Sequence, residues 1–155
     1  MNSNPAYYKS KRDEVAVLMP DEYHNVLEIG CGEGNFSLNL KSWNELWGVE
    51  LNETAAEKAS KKGYRMIKGN YKKVSYQLPD NYFDLVICND VIEHMADHDA
   101  FLCSIRKKMR PNAYMIGSVP NMRYYLVLKK LIFRRDWEYT DNSILDRTHL
   151  RYFTE

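Results

Sequence analysis

No stretch of the 155-residue chain approaches the ~20 consecutive apolar residues that span a bilayer, and its opening MNSNPAYYKSKRDE has no apolar core of signal-peptide length. The sequence therefore predicts neither a membrane-spanning protein nor one exported by that route. Cysteine is scarce: Cys31, Cys88 and Cys103 are odd in number and show no CxxC spacing, which excludes a disulfide framework and a zinc-ribbon pattern. Free thiols, and with them a cytoplasmic location, are expected. An excess of either charge is also lacking, since 22 Lys and Arg face 21 Asp and Glu for a net +1, so bulk charge gives no global nucleic-acid footprint. Internal repeats and low-complexity segments are absent. With 45% hydrophobic and 28% charged residues, residues 1–155 read as one domain, short for a complete open α/β sheet.

Glycine is sparse too, yet three of the seven fall in VLEIGCGEG, at Gly30, Gly32 and Gly34. A short apolar strand that breaks into glycines lets the backbone turn sharply and lets a ligand approach, while the next segment offers free amide groups. A dinucleotide fingerprint needs its third glycine three residues after the second, where this chain has Asn35. The spacing GxGxG is instead combined with Glu28 at the strand end and Glu50 roughly 20 residues on, closing the next strand. A carboxylate at Glu50 is suited to accept from both hydroxyls of a ribose, and one at Glu28 suits a cationic ligand group.

Hydrophobic periodicity supplies the framework. A leading helix is expected over Tyr7 to Met19, within residues 1–22. Strands follow at Asn25 to Gly30, Glu45 to Leu51, Tyr64 to Lys68, Phe83 to Asn89 and Ala113 to Val119. Helices are expected at Asn35 to Trp43, Glu53 to Lys62 and His98 to Met109. Alternation of this kind means βαβ crossovers, hence a Rossmann-like, doubly wound, mostly parallel α/β sheet with helices on both faces, built from residues 23–120. Residues 121–155 form a cover segment. Within it MRYYLVLKKLIFRR, Met122 to Arg135, is apolar at helical spacing and otherwise basic, with no acid. It reads as a helix roofing the site, with peripheral contact to an anionic membrane surface as the alternative. The closing Thr154 and Glu155 look like the cap and first turn of a further helix.

The run VLEIGCGEG together with Glu50, FDLVICNDVIEHM and SVPN resembles class I S-adenosylmethionine-dependent methyltransferases over nearly the whole chain. The resemblance implies a sheet with further C-terminal strands, which residues 1–155 lack, so that either the chain is truncated or the fold is a reduced one. It implies S-adenosylmethionine as cofactor, lined by Glu28, Gly30, Cys31, Gly32, Gly34, Glu50, Leu51, Asn70, Tyr71, Asn89 and Asp90. Asn70 stands where the family commonly has an acid at the adenine amino group.

The DVIEH segment is similar to the ExxEH arrangement of ubiquinone-pathway O-methyltransferases and small-RNA 2′-O-methyltransferases, with Asp90 in place of the first glutamate. The latter group adds a later histidine, for which DRTHLRYFT offers His149. Resemblance thus implies either a divalent metal (magnesium, manganese or zinc) on Asp90, Glu93, His94 and His149, or metal-free chemistry with Asp90 at the site and His94 or His149 taking the acceptor proton. Both make oxygen the acceptor. A small-molecule or sugar hydroxyl is the first expectation; an RNA 2′-hydroxyl and a non-catalytic cofactor-binding module are the alternatives. The sequence specifies no oligomeric state.

Overall fold

The computed structural model describes residues 12–137, 139 and 144–154. Five parallel strands, β1 (Asn25–Ile29), β2 (Glu45–Glu50), β3 (Arg65–Lys68), β4 (Phe83–Asn89) and β5 (Met109–Ser118), form one sheet in the order β3-β2-β1-β4-β5. The chain winds outward from β1 through β2 to β3, then crosses to β4 and winds the other way. The order therefore reverses between β1 and β4. In open α/β sheets ligands bind beyond the carboxyl ends of the strands that flank such a reversal.

Both faces of the central strands are buried, which explains their near-continuous apolar sequence. Along β1, Leu27 and Ile29 face one core with Trp47, Val49, Val86 and Cys88, while Val26 faces the other with Leu46, Leu85 and Ile87. The first core is closed by Phe101 and Ile105 of α4 (His98–Lys108) and by Tyr71 of α3 (Tyr71–Val74). The second is closed by Val15 of α1 (Asp13–Ala16), by Phe36 and Leu40, and by Ala59 of α2 (Glu53–Ser60). The expected doubly wound architecture is the one observed.

Local differences have local causes. The segment expected as a helix from Asn35 to Trp43 is a 3-10 turn over Asn35–Asn39, where Ser37 Oγ bonds back to the Gly34 carbonyl at 2.7 Å. A side chain that bonds the backbone in this way competes with an α-helical ladder. Helix α3 was not expected, although its cap was visible: Asn70 Oδ1 accepts from Lys72 N at 3.0 Å. Strand β5 starts at Met109 and admits Pro111 because it lies at the sheet edge, with a register shift opposite Phe83 and Leu85. Of the leading helix expected over Tyr7 to Met19, the described residues form one turn, α1, bounded by left-handed Arg12 and by Val17; Tyr7 and Tyr8 lie outside the described residues. Thr154 forms no helix, and Glu155 lies outside the described residues.

The expected roof is a correction. Residues Tyr125–Lys129 form α5 and Lys130–Arg134 a following π turn, but every side chain from Leu128 to Arg135 is exposed. The segment projects from the domain. No helix among the described residues is long and apolar enough to cross a membrane.

Candidate active site at the carboxyl edge of the sheet

The glycine loop leaves β1 at the reversal point. Gly30, Gly32 and Gly34 all have positive φ (70°, 54° and 73°), a region costly for side-chain-bearing residues. At Gly30 space is also required: a Cβ there would stand 2.7 Å from Val91 Cγ2, so the first glycine of the loop and the DVIEH segment pack directly against each other. Gly34 answers to packing on its other side, where a Cβ would lie 2.7 Å from Tyr64 Cε2 and 3.0 Å from Ala59.

Glu50 clamps the loop. Its Oε2 accepts from Gly32 N at 2.8 Å and its Oε1 from Asn52 N at 2.8 Å. Each oxygen keeps a second lone pair, so the carboxylate that fixes the loop can also accept from ligand hydroxyls. Asn52 in turn caps α2 by accepting from Ala55 N at 2.9 Å. Leu51, between these two, is exposed.

Glu28 sits deeper than expected. It is buried in the second core, where the Tyr64 hydroxyl donates to its Oε2. Burial pushes its carboxyl up to about 8; the Tyr64 hydrogen bond opposes the rise and the nearby Glu50 charge adds to it. Cys31 is likewise buried, its Sγ 3.8 Å from Met66 Sδ, and burial pushes its thiol well up. Only the backbone of Cys31 belongs to the loop surface. Tyr71 is buried against Phe101, with its hydroxyl 3.0 Å from Ser104 Oγ, and Asn70 spends its side-chain oxygen on the α3 cap. These last two position β3's exit turn through their side chains.

The end of β4 carries the unsatisfied groups. Among the described residues, three buried side-chain polar atoms have no hydrogen-bond partner: Asn89 Oδ1, Glu93 Oε1 and Glu93 Oε2. All lie in one short stretch at the reversal point. Unpaired buried oxygens are costly, about 1–3 kcal/mol each, and their concentration here marks a place shaped for a ligand.

Asp90 departs from the expected ligand set. Held at positive φ (52°), it accepts from Ser118 Oγ at 2.8 Å and forms an ion pair with Arg12. One ligand atom each from Glu93, His94 and His149 lies within 4.8 Å of the others, and Asp90 is not among them. The four-ligand expectation thus reduces to three residues, because the αL backbone at Asp90 turns its carboxylate toward α1 and β5.

The distant His149 is delivered by the tail. Leu150 N and Arg151 N both donate to the Glu93 carbonyl, at 2.8 and 3.1 Å, and Arg151 donates to the Ala96 carbonyl at 3.1 Å. The His94 and His149 rings then meet edge to face, 4.9 Å apart. His149 Nε2 stands 4.0 Å from Glu93 Oε1. His94 Nδ1 faces the Thr148 carbonyl at 3.2 Å, and His149 Nδ1 faces the Ile144 carbonyl at 3.0 Å. A carbonyl only accepts, so each Nδ1 carries the proton and each Nε2 keeps a lone pair, the arrangement that orients a base or a metal ligand. Desolvation lowers the His94 pKa, and burial pushes the Glu93 carboxyl up to about 7.

A groove of about 420 Å³ lined by Glu45, Trp47, Arg65, Tyr76, Gln77 and Tyr82 opens at the opposite, amino-terminal edge. Its polar groups are already engaged: Trp47 Nε1 donates to Glu45 at 2.7 Å and the Arg65 guanidinium stacks 4.1 Å over Trp47. It contains none of the three unpartnered oxygens. His24 and His98, assigned no role from sequence, stand outside the histidine pair there.

With this geometry in place, comparison with known proteins is informative. Residues 4–155 match the model of a family described as a methyltransferase domain. A ubiquinone biosynthesis O-methyltransferase of Rickettsia prowazekii is 33% identical over 103 residues, covering 62% of this chain and 40% of that protein. An uncharacterized methyltransferase of Schizosaccharomyces pombe is 28% identical over 104 residues, covering 58% of this chain and 37% of that one. Among solved structures, a SAM-dependent methyltransferase of Thermotoga maritima, described as a possible histamine N-methyltransferase, shares the fold with a TM-score of 0.64 and 27% identity over 83% of this chain and 59% of its own. A SAM-dependent methyltransferase of Archaeoglobus fulgidus gives a TM-score of 0.65 at 23% identity, over 94% of this chain and 63% of its own. The chain spans about 40% of the length of the first curated relative. A family model that matches nearly every residue, on a parallel sheet with its glycine loop at the reversal point, identifies the chain as a member of the methyltransferase domain family.

Proposed function

We infer that the chain binds S-adenosylmethionine at the β1–β4 reversal and serves methyl transfer to the hydroxyl of a small molecule, a sugar or polyol hydroxyl being the first candidate. The observation that carries this reading is the pairing of a Glu50-clamped glycine loop at the end of β1 with buried, unpartnered oxygens of Asn89 and Glu93 at the end of the neighbouring β4. The name of the Rickettsia relative, an O-methyltransferase, supports oxygen as the acceptor.

When bound, S-adenosylmethionine supplies an electrophilic methyl group. The chain's own residues hold and deprotonate. Glu50 fixes the loop and accepts from ribose hydroxyls; Asn89 Oδ1 accepts a ligand donor at the mouth of β4. On the acceptor side His94 is kept neutral by desolvation, and its Nε2 takes the hydroxyl proton while Nδ1–H stays on Thr148. Asp90 is ion-paired with Arg12, the residue that precedes α1, and so ties the start of that helix to the end of β4.

A second reading is favoured by the two orphaned oxygens of Glu93. Glu93, His94 and His149 offer one carboxylate and two imidazole nitrogens, a donor set that suits manganese or zinc better than magnesium. A metal there would lower the pKa of the acceptor hydroxyl. Here the residues fit, with Asp90 left outside the set.

Calorimetric titration with S-adenosylhomocysteine tests the cofactor assignment. Binding to the wild-type chain and its loss in Glu50→Ala are expected; absence of binding to the folded wild type overturns the reading. Titration with manganese, compared in wild type and His149→Ala, tests the second.

A further inference from the structure

We propose that the arm formed by α5 and the π turn after it docks on the surface of an anionic lipid bilayer. The arm stands out because it leaves so many large apolar side chains in solvent while only Val127 within it is half-buried. Tyr125, Ile132 and Phe133 are 65%, 67% and 78% exposed, Leu126, Leu128 and Leu131 are exposed as well, and none of these residues belongs to either buried core. A soluble surface seldom gathers so many large apolar side chains in one place without a partner for them.

Charge selects the partner. Arg123, Lys129, Lys130, Arg134 and Arg135 lie in Met122 to Arg135 with no acid among them, whereas the whole chain is nearly neutral at +1. A basic helix with exposed apolar side chains matches the headgroup boundary of an anionic membrane, where the side chains enter the acyl edge and the cations meet phosphates. A second copy fits poorly, because a two-fold contact through this arm would press its cations against their own equivalents. RNA leaves the aliphatic Leu128, Leu131 and Ile132 without a use, since stacking on bases calls for aromatic rings.

The arm is rooted at the candidate site. Asn121 bridges to Phe153, Met122 N donates to the Phe153 carbonyl at 2.8 Å, and the Phe153 ring stands 6.5 Å from that of His98. Docking is therefore anchored through the tail segment that also carries His149. The inference does not depend on what is methylated.

Sedimentation of the full chain with vesicles tests it. The chain is expected to pellet with phosphatidylglycerol–phosphatidylcholine vesicles and stay in the supernatant with pure phosphatidylcholine, with binding falling as salt rises. The combined variant Lys129→Gln, Lys130→Gln, Arg134→Gln, Arg135→Gln should weaken binding at least about tenfold. Ile132→Asp with Phe133→Asp should abolish it, and S-adenosylhomocysteine binding, read in the same preparations, should be unchanged. Both variants alter only exposed side chains, and circular dichroism checks that they are folded. Failure of the folded wild type to bind anionic vesicles overturns the proposal. So does a charge variant that binds as well as wild type, or a concentration-dependent dimer that Ile132→Asp with Phe133→Asp dissociates.

Discussion

The Tyr64 hydroxyl reaches the Glu28 carboxylate across Gly48, the residue of β2 that pairs with Glu28 in the sheet. A Cβ on Gly48 would stand 2.8 Å from Cys31 Sγ and 3.0 Å from Tyr64 Cδ1, so the ring lies on the sheet only because β2 has no side chain there. The same ring fills the space beside Gly34. One tyrosine thus supports the glycine loop from below and satisfies the buried acid next to it.

This arrangement makes stability depend on pH through Glu28. Its folded pKa, about 8, lies above the ordinary value of 4.5, so between them the folded state holds a proton that the unfolded chain releases. Stability is therefore full below about pH 4.5 and falls as pH rises toward 8, by about 3–5 kcal/mol from this residue. Glu28→Gln should reduce that slope in urea unfolding series at pH 5 to 8, leaving the part that Glu93, itself pushed up to about 7, contributes with the same sign. An unchanged slope would place the titration elsewhere.

Tyr64→Phe removes the donor while keeping the ring. A loss of about 1–3 kcal/mol is expected, the cost of leaving a buried carboxyl without its partner. It should be smaller in Glu28→Gln than in the wild-type background, which a double-mutant cycle by chemical denaturation reads directly.

At the loop, Gly30→Ala should destabilise the fold by about 1–3 kcal/mol, since the new methyl meets Val91 Cγ2 and the backbone is at positive φ. Val91→Ala in the same chain opens the space but leaves the backbone cost. Partial recovery of the thermal midpoint is expected, and none at all would show that the contact is not the source.

Glu50→Ala should weaken S-adenosylhomocysteine binding about tenfold to a hundredfold, because one carboxylate both clamps Gly32 and meets the ligand. Asn52→Ala, which loses only the α2 cap, should cost stability of about 1 kcal/mol and leave affinity nearly unchanged. Calorimetry and thermal unfolding on both variants separate the two roles.

On the acceptor side, desolvation holds His94 below its ordinary value of 6.5, so the neutral base persists down to mildly acidic pH. Transfer rates should fall only as pH drops below 6.5, and His94→Gln should reduce kcat by about a hundredfold or more with little change in cofactor affinity. If added chelator reproduces that loss, the metal-assisted reading holds instead.

Much of this was legible in the residues themselves. Strand β4 begins and ends at Phe83–Asn89, where its nearly continuous apolar run lies, and the alternation of strands and helices set the doubly wound sheet. Glu50 and the glycine loop were found by spacing. What stayed hidden depended on tertiary contacts that spacing does not encode. The cap that Asn70 makes on α3 and the contact that buries the Tyr71 ring against Phe101 are such contacts. Asp90 was grouped with Glu93 and His94 because they are neighbours in sequence, yet a left-handed backbone residue turns it toward Arg12. The clasp that brings His149 to His94 runs through the Glu93 carbonyl, a group every residue has.

That clasp and the Asn121–Phe153 bridge close a loop at its neck. With both ends pinned beside the histidines, the exposed stretch from Leu128 to Arg135 can change length or composition at little cost, because closing a longer loop adds only about 0.6 kcal/mol per doubling. A different outer surface can be carried on that stretch while Glu50, the glycines and the histidine pair stay as they are.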